Sequence, residues 1–104
     1  MKANLNCEIV ITGLEGPMNC ENDKYSAQVQ RLYSRHLRRN PASTGNINIS
    51  LSTDKAGNII SVKIDTNIKS ENLLKRLHAF SKIYKYSEIK MFNKSIYYSF
   101  SRIE

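Results

Sequence analysis

The feature that most constrains this chain is the run Asn46 to Thr53, N-I-N-I-S-L-S-T, in which apolar and polar residues alternate without a break. A period of two places Ile47, Ile49 and Leu51 on one face of a strand and Asn and Ser residues on the other, so one side of the resulting sheet is packed and the other wet. Asp54-Lys55-Ala56-Gly57-Asn58 follows with turn chemistry, Gly57 being free to take a positive φ. Ile60, Val62 and Ile64 then resume the alternation, so the two runs form a hairpin.

Around this hairpin the periodicity changes. Asn22 or Asp23 caps a helix to about Arg39, with Tyr25, Val29, Leu32, Tyr33 and His36 at helical spacing, and Asn40-Pro41 stops it. Ser70 caps a second helix to about Tyr84, whose apolar face is Leu73, Leu74, Leu77, Phe80 and Ile83. Leu5 to Thr12 is rich in β-branched residues and reads as a strand ended by Gly13 to Pro17. Lys94 to Arg102 alternates again, with Ile96, Tyr98 and Phe100 inward and Ser95, Tyr97, Ser99 and Ser101 outward. The expected fold is α+β, in the order strand, helix, hairpin, helix, strand. It is an antiparallel sheet of three to four strands with two helices packed on one face. Its 104 residues form a single domain, in which residues 1–20 supply the N-terminal strand and loop.

Sixteen Lys and Arg against nine Asp and Glu give a formal charge of +7, which draws acidic partners: nucleic acid, anionic lipid or an acidic protein. Lys24, Gln28, Arg31, Arg35 and Arg38 recur at three and four residue spacing along the first helix, as a solvated face or a docking surface. The longest aliphatic run, Ile9 to Ile11, is far too short to cross a bilayer, so no membrane insertion is expected of this chain. Asn6 and Glu8 interrupt the apolar stretch that a signal peptide needs. The chain thus reads as cytosolic or as the excised soluble part of an exported protein.

Catalytic signatures are missing. There is no P-loop, no Gly-x-Ser-x-Gly and no His-Glu-x-x-His. Asp54, Asp65, Glu71 and Glu88 fall at ordinary solvated positions, so no catalytic residue and no cofactor is assigned. Cys7 and Cys20, with twelve residues between them, match no zinc or redox spacing, and His36 and His78 each fit a helix face, so no metal is assigned either. The two thiols are either a disulfide, which implies an oxidising compartment, or a pair of buried thiols.

From Tyr25 onward the chain resembles the C-terminal domains of the TolA and TonB envelope proteins, more closely TolA. The resemblance rests on Y-S-A-Q-V-Q-R-L-Y-S-R-H-L on the first helix, Thr44-Gly45 before a strand, the D-K-A-G-N hairpin, I-I-S-V-K-I, a leucine-bearing helix and an aromatic last strand. It implies a non-catalytic periplasmic adaptor whose partner is an envelope protein or peptide segment, or a bacteriocin or phage protein that exploits it. Backbone physics adds a mode of binding: a last strand at a sheet edge accepts an extended segment. The candidate partner-binding residues are therefore Lys94, Ser95, Ile96, Tyr97, Tyr98, Ser99 and Phe100, with Arg31, Arg35 and Arg38 on the helix. The alternative is a small basic nucleic-acid-binding protein of the cytoplasm, using Arg31, Arg35, Arg38 and Arg39 and an exposed Tyr97 that stacks on bases.

Overall fold

The structure, a computed structural model, describes residues 4–11, 20, 23–43, 45–54, 56–85 and 95–103. Asn22, Thr44, Lys55, Glu88, Lys94 and the break expected over 13–17 lie outside the described residues. The elements are β1 (Asn4–Ile11), α1 (Lys24–Arg39), β2 (Asn46–Thr53), β3 (Ile59–Thr66), α2 (Glu71–Ile83) and β4 (Ser95–Ile103). This is the expected α+β arrangement.

Each helix is set by its cap and its apolar stripe. The Asp23 carboxylate accepts from the Ser26 backbone N–H at 2.8 Å, which satisfies an orphan donor at the start of α1. Tyr25, Val29, Tyr33 and Leu37, four residues apart, form the buried face of α1. The helix ends where Asn40 donates from both its backbone and its side chain to the His36 carbonyl, one residue before Pro41. The Ser70 hydroxyl caps α2 through the Leu73 N–H at 3.2 Å, and Leu73 and Leu77 are buried.

The strand order is β1-β4-β2-β3, every neighbour antiparallel. Chain order and sheet order are therefore interleaved: β1 and β2 run parallel with β4 between them, and β3 and β4 run parallel with β2 between them. The central rows place Ile9, Tyr98, Ile49 and Ile64 side by side on the helix-covered face. Both helices pack there. Tyr25 of α1 lies 4.8 Å from Tyr98 and 5.1 Å from Phe80 of α2, centroid to centroid. Ile47, Ile49, Leu51, Ile96, Tyr98, Phe100, Val29, Tyr33 and Leu77 are all essentially solvent-free. Each such side chain contributes about 1.5–3 kcal/mol on burial.

Several expectations change. β4 is not an edge strand: it pairs with β1 on one side and β2 on the other, so its backbone donors and acceptors are taken up by both ladders. Ile60 points away from the core and is 65% exposed, because Ser52 pairs with Ser61 but Thr53 with Ile59, leaving Ile60 as the extra residue of a bulge. Ile59 takes its inward place. Ile83 is 82% exposed in the last turn of α2, where Ser81 and Tyr84 take the inward positions instead. Leu37, not His36, closes the buried stripe of α1. His36 is half-buried with Nε2 3.1 Å from the Ser43 hydroxyl.

Candidate functional site

The central position of β4 divides the expected binding residues. Ile96, Tyr98 and Phe100 lie beneath the helices, fully buried, with their side chains inside the core. Ser95, Tyr97 and Ser99 lie on the uncovered face of the sheet, Tyr97 at 40% exposure. Arg31, Arg35 and Arg38 are exposed on α1, on the opposite side of the domain. The arginines and the tyrosine form two surfaces, not one.

The real edges are β1 and β3, and they differ in kind. Along β3 the Ile60 bulge interrupts the ladder, Lys63 is exposed, and Lys85 forms an antiparallel bridge to Asn58 at its entrance. Bulges, lysines and covering segments are the usual means by which a sheet edge refuses a further strand. Among the described residues β1 has no bulge, no lysine and no bridging segment. Its sequence N-L-N-C-E-I-V-I carries one charge, Glu8, and no proline. Its ladder to β4 runs eight residues without a shift. Among the described residues no strand pairs with its outer edge. Its helix-side residues Leu5, Cys7, Ile9 and Ile11 are only half-buried, whereas Phe100, Tyr98 and Ile96, which pair with the last three of them, are buried.

The face that no described helix covers is mainly polar. Cross-strand rows run Val10-Tyr97-Ser50-Lys63 and Glu8-Ser99-Asn48-Asp65, with Asn6-Ser101-Asn46 beside them. Its described charges are Glu8, Lys63 and Asp65, a formal sum of −1. The excess positive charge of the chain therefore lies elsewhere, in part as Lys24, Arg31, Arg35, Arg38 and Arg39 on α1. The contact of Lys63 with Asp65 at 3.9 Å, between two well-exposed side chains, adds little.

At the start of α1 a cluster joins the helix to the sheet. Cys7 and Cys20 are linked in a disulfide with Cα atoms 6.2 Å apart, which answers the alternative that the sequence leaves open. Ser26 donates to the Cys20 carbonyl at 3.1 Å, and its hydroxyl lies 3.6 Å from Cys7 Sγ. Asp23 is buried and accepts from the Tyr98 hydroxyl at 2.8 Å as well as from Ser26. Burial raises its pKa, opposed by the bonds from Ser26 and Tyr98. Burial likewise pushes the Tyr25 phenol up to about 12, with its oxygen 2.6 Å from the Ser81 hydroxyl. These groups are spent on one another, as structural links. Asp23 and Tyr98 are separated by 75 residues, and nothing in the sequence signals their contact.

Among the described residues no three His, Cys, Asp or Glu side chains gather as a metal ion would require, and no helix is long and apolar enough to cross a membrane. Comparison with family models, curated proteins and solved structures finds no match to this chain.

Proposed function

We propose that this chain is a non-catalytic protein-binding adaptor domain that works in an oxidising compartment, the bacterial envelope, and engages an extended segment of its partner at a sheet edge. The observation that carries the reading is the contrast between the two edges: β3 is guarded, whereas among the described residues no strand pairs with the outer edge of β1. A partner segment laid along β1 gains backbone hydrogen bonds from the edge and apolar contact from half-exposed Leu5, Ile9 and Ile11. The Cys7–Cys20 disulfide fits an oxidising compartment. The basic face of α1, with Arg31, Arg35 and Arg38, steers an acidic partner and sets the salt dependence of association.

A photo-reactive residue at Val10 tests this when compared with one at Ser61 beside β3. A partner cross-linked from Val10 alone, then purified, should bind the domain and lose at least tenfold in affinity to the edge-guarding change Asn6→Lys with Glu8→Lys. Cross-linking from Ser61 instead, or affinity indifferent to the lysines in a folded variant, defeats the reading.

Nucleic-acid binding is the second reading, favoured by exposed cations on one helix, among them Lys24, Arg31, Arg35 and Arg38. Against it, the aromatic Tyr97 sits on the face of formal charge −1, away from those cations. If all four met phosphates, affinity for duplex DNA should fall on the order of 100-fold between about 50 and 200 mM salt. Fluorescence anisotropy with a labelled 20-mer, roughly two helical turns, reads this directly, and binding that ignores the arginines removes it.

A further inference from the structure

β1 is the least embedded element of the sheet. Its ladder joins β4 alone, its inward residues are half-exposed, and the link that ties it covalently to the body is the Cys7–Cys20 disulfide. Beside it, β4 is deeply packed, with Ile96, Tyr98 and Phe100 solvent-free. We propose that the disulfide is a lock against strand exchange: once it is reduced, β1 leaves β4 and is replaced by β1 of a second copy, giving a reciprocally swapped dimer.

The chemistry of the partner is fixed by the register. The surface that β1 vacates is matched residue for residue by another β1, from Asn4 opposite Ile103 to Ile11 opposite Ile96, so the swapped dimer regains every contact that opening breaks. With the disulfide closed, exchange would have to carry Cys20 and the start of α1 along with β1, and α1 is anchored to the core through Asp23–Tyr98 and Tyr25–Phe80. Reduction is balanced by two electrons and two protons from a dithiol or thiol pair, which is oxidised as the two cysteines become thiols. In the reduced chain, residues 12–23 join β1 to α1 as a twelve-residue connection. Such a tether holds β1 at an effective concentration on the order of a millimolar, so a second copy competes at protein concentrations approaching that range. This goes beyond the adaptor reading, which concerns the oxidised chain.

The decisive experiment uses single-cysteine chains. Cys7→Ser and Cys20→Ser chains are mixed, refolded together at about 1 mM and then oxidised. Only a swapped dimer brings Cys7 of one chain to Cys20 of the other, so the expected result is a cross-linked heterodimer well in excess of the homodimers formed by either chain alone, with the Cys7–Cys20 junction seen by peptide mass. Oxidised wild type should stay monomeric under the same treatment. As a second readout, a reductant such as a phosphine should speed amide exchange over Leu5 to Ile11 at least tenfold while β2 stays protected. No excess of heterodimer overturns the proposal, and so does loss of the whole fold on reduction, because β1 is then no separable unit. Partner binding by the oxidised wild type is unaffected by either result, so the adaptor reading stands or falls separately.

Discussion

Asp23 caps a helix and receives the hydroxyl of a tyrosine from the central strand, both at 2.8 Å, in a place almost closed to water. Removing it as Asp23→Ala gives up the cap, about 1 kcal/mol, and a hydrogen bond to a charged group, about 1.5–3 kcal/mol. Against the 5–15 kcal/mol typical of a domain, a loss of about 2.5–4 kcal/mol is large. For a chain of this size it lowers the melting temperature by roughly 10 to 30 °C. Asp23→Asn separates geometry from charge, since asparagine caps as well as aspartate and its carbonyl still accepts from Tyr98. The sign follows from the raised pKa, which burial causes. With the folded value above the unfolded one, the contribution of Asp23 is fully present below the unfolded pKa of about 3.9. It is lost as the pH rises through the folded pKa. Asp23→Asn does not titrate, so its stability relative to wild type should grow from about pH 3 upward and then level off. Urea unfolding of both proteins across that range reads the difference. A difference that stays flat, or that shrinks with rising pH, refutes the account of Asp23 as a desolvated carboxylate.

Other perturbations are as direct. Gly45 holds φ at 150°, and a Cβ there would stand 2.7 Å from Ile68 Cγ1 and against Asn67 Oδ1, so Gly45→Ala should cost about 1–3 kcal/mol in urea unfolding. Cys7→Ser with Cys20→Ser removes a short covalent loop and should cost about 3 kcal/mol, read as the same shift on adding reductant to wild type. Leu77→Ala opens a cavity in the core and should cost about 2–5 kcal/mol, whereas Ile83→Ala, at an exposed helix end, should stay within about 0.5 kcal/mol. Equal effects of the two would mean that α2 is rotated from the orientation described.

How far the sequence could be read depends on the range of the interaction. The hairpin, the two caps and the inward and outward residues of β4 are local or periodic properties, and they emerge from the spacing of Ile47 to Leu51, from Asp23 and Ser70, and from Ile96 to Phe100. The position of β4 is not local. A strand packed on one face and wet on the other shows the same alternation at an edge as in the middle, so Ser95–Ile103 could be recognised as a strand without revealing its neighbours. The same holds for the Asp23–Tyr98 bond and for the pairing of β1 with β4. Ile60 and Ile83 misled for a different reason. Hydrophobicity patterns assume an unbroken ladder and apolar residues at every inward helix position, and the bulge at Ile60 and the inward Ser81 beside an outward Ile83 violate those assumptions.

The interleaved order β1-β4-β2-β3 also bears on when the domain is able to form. The strand that joins β1 to the hairpin is made after every other described element. Until β4 has emerged, β1 has no ladder to enter, the Ile49 and Leu51 side chains lack their neighbours Tyr98 and Ile96, and Asp23 lacks its tyrosine. Folding waits on contacts between distant parts of the chain, which makes it slow compared with that of a helical bundle of equal length. A polypeptide ordered in this way completes its sheet only once the strand that fills the gap between β1 and the hairpin is present.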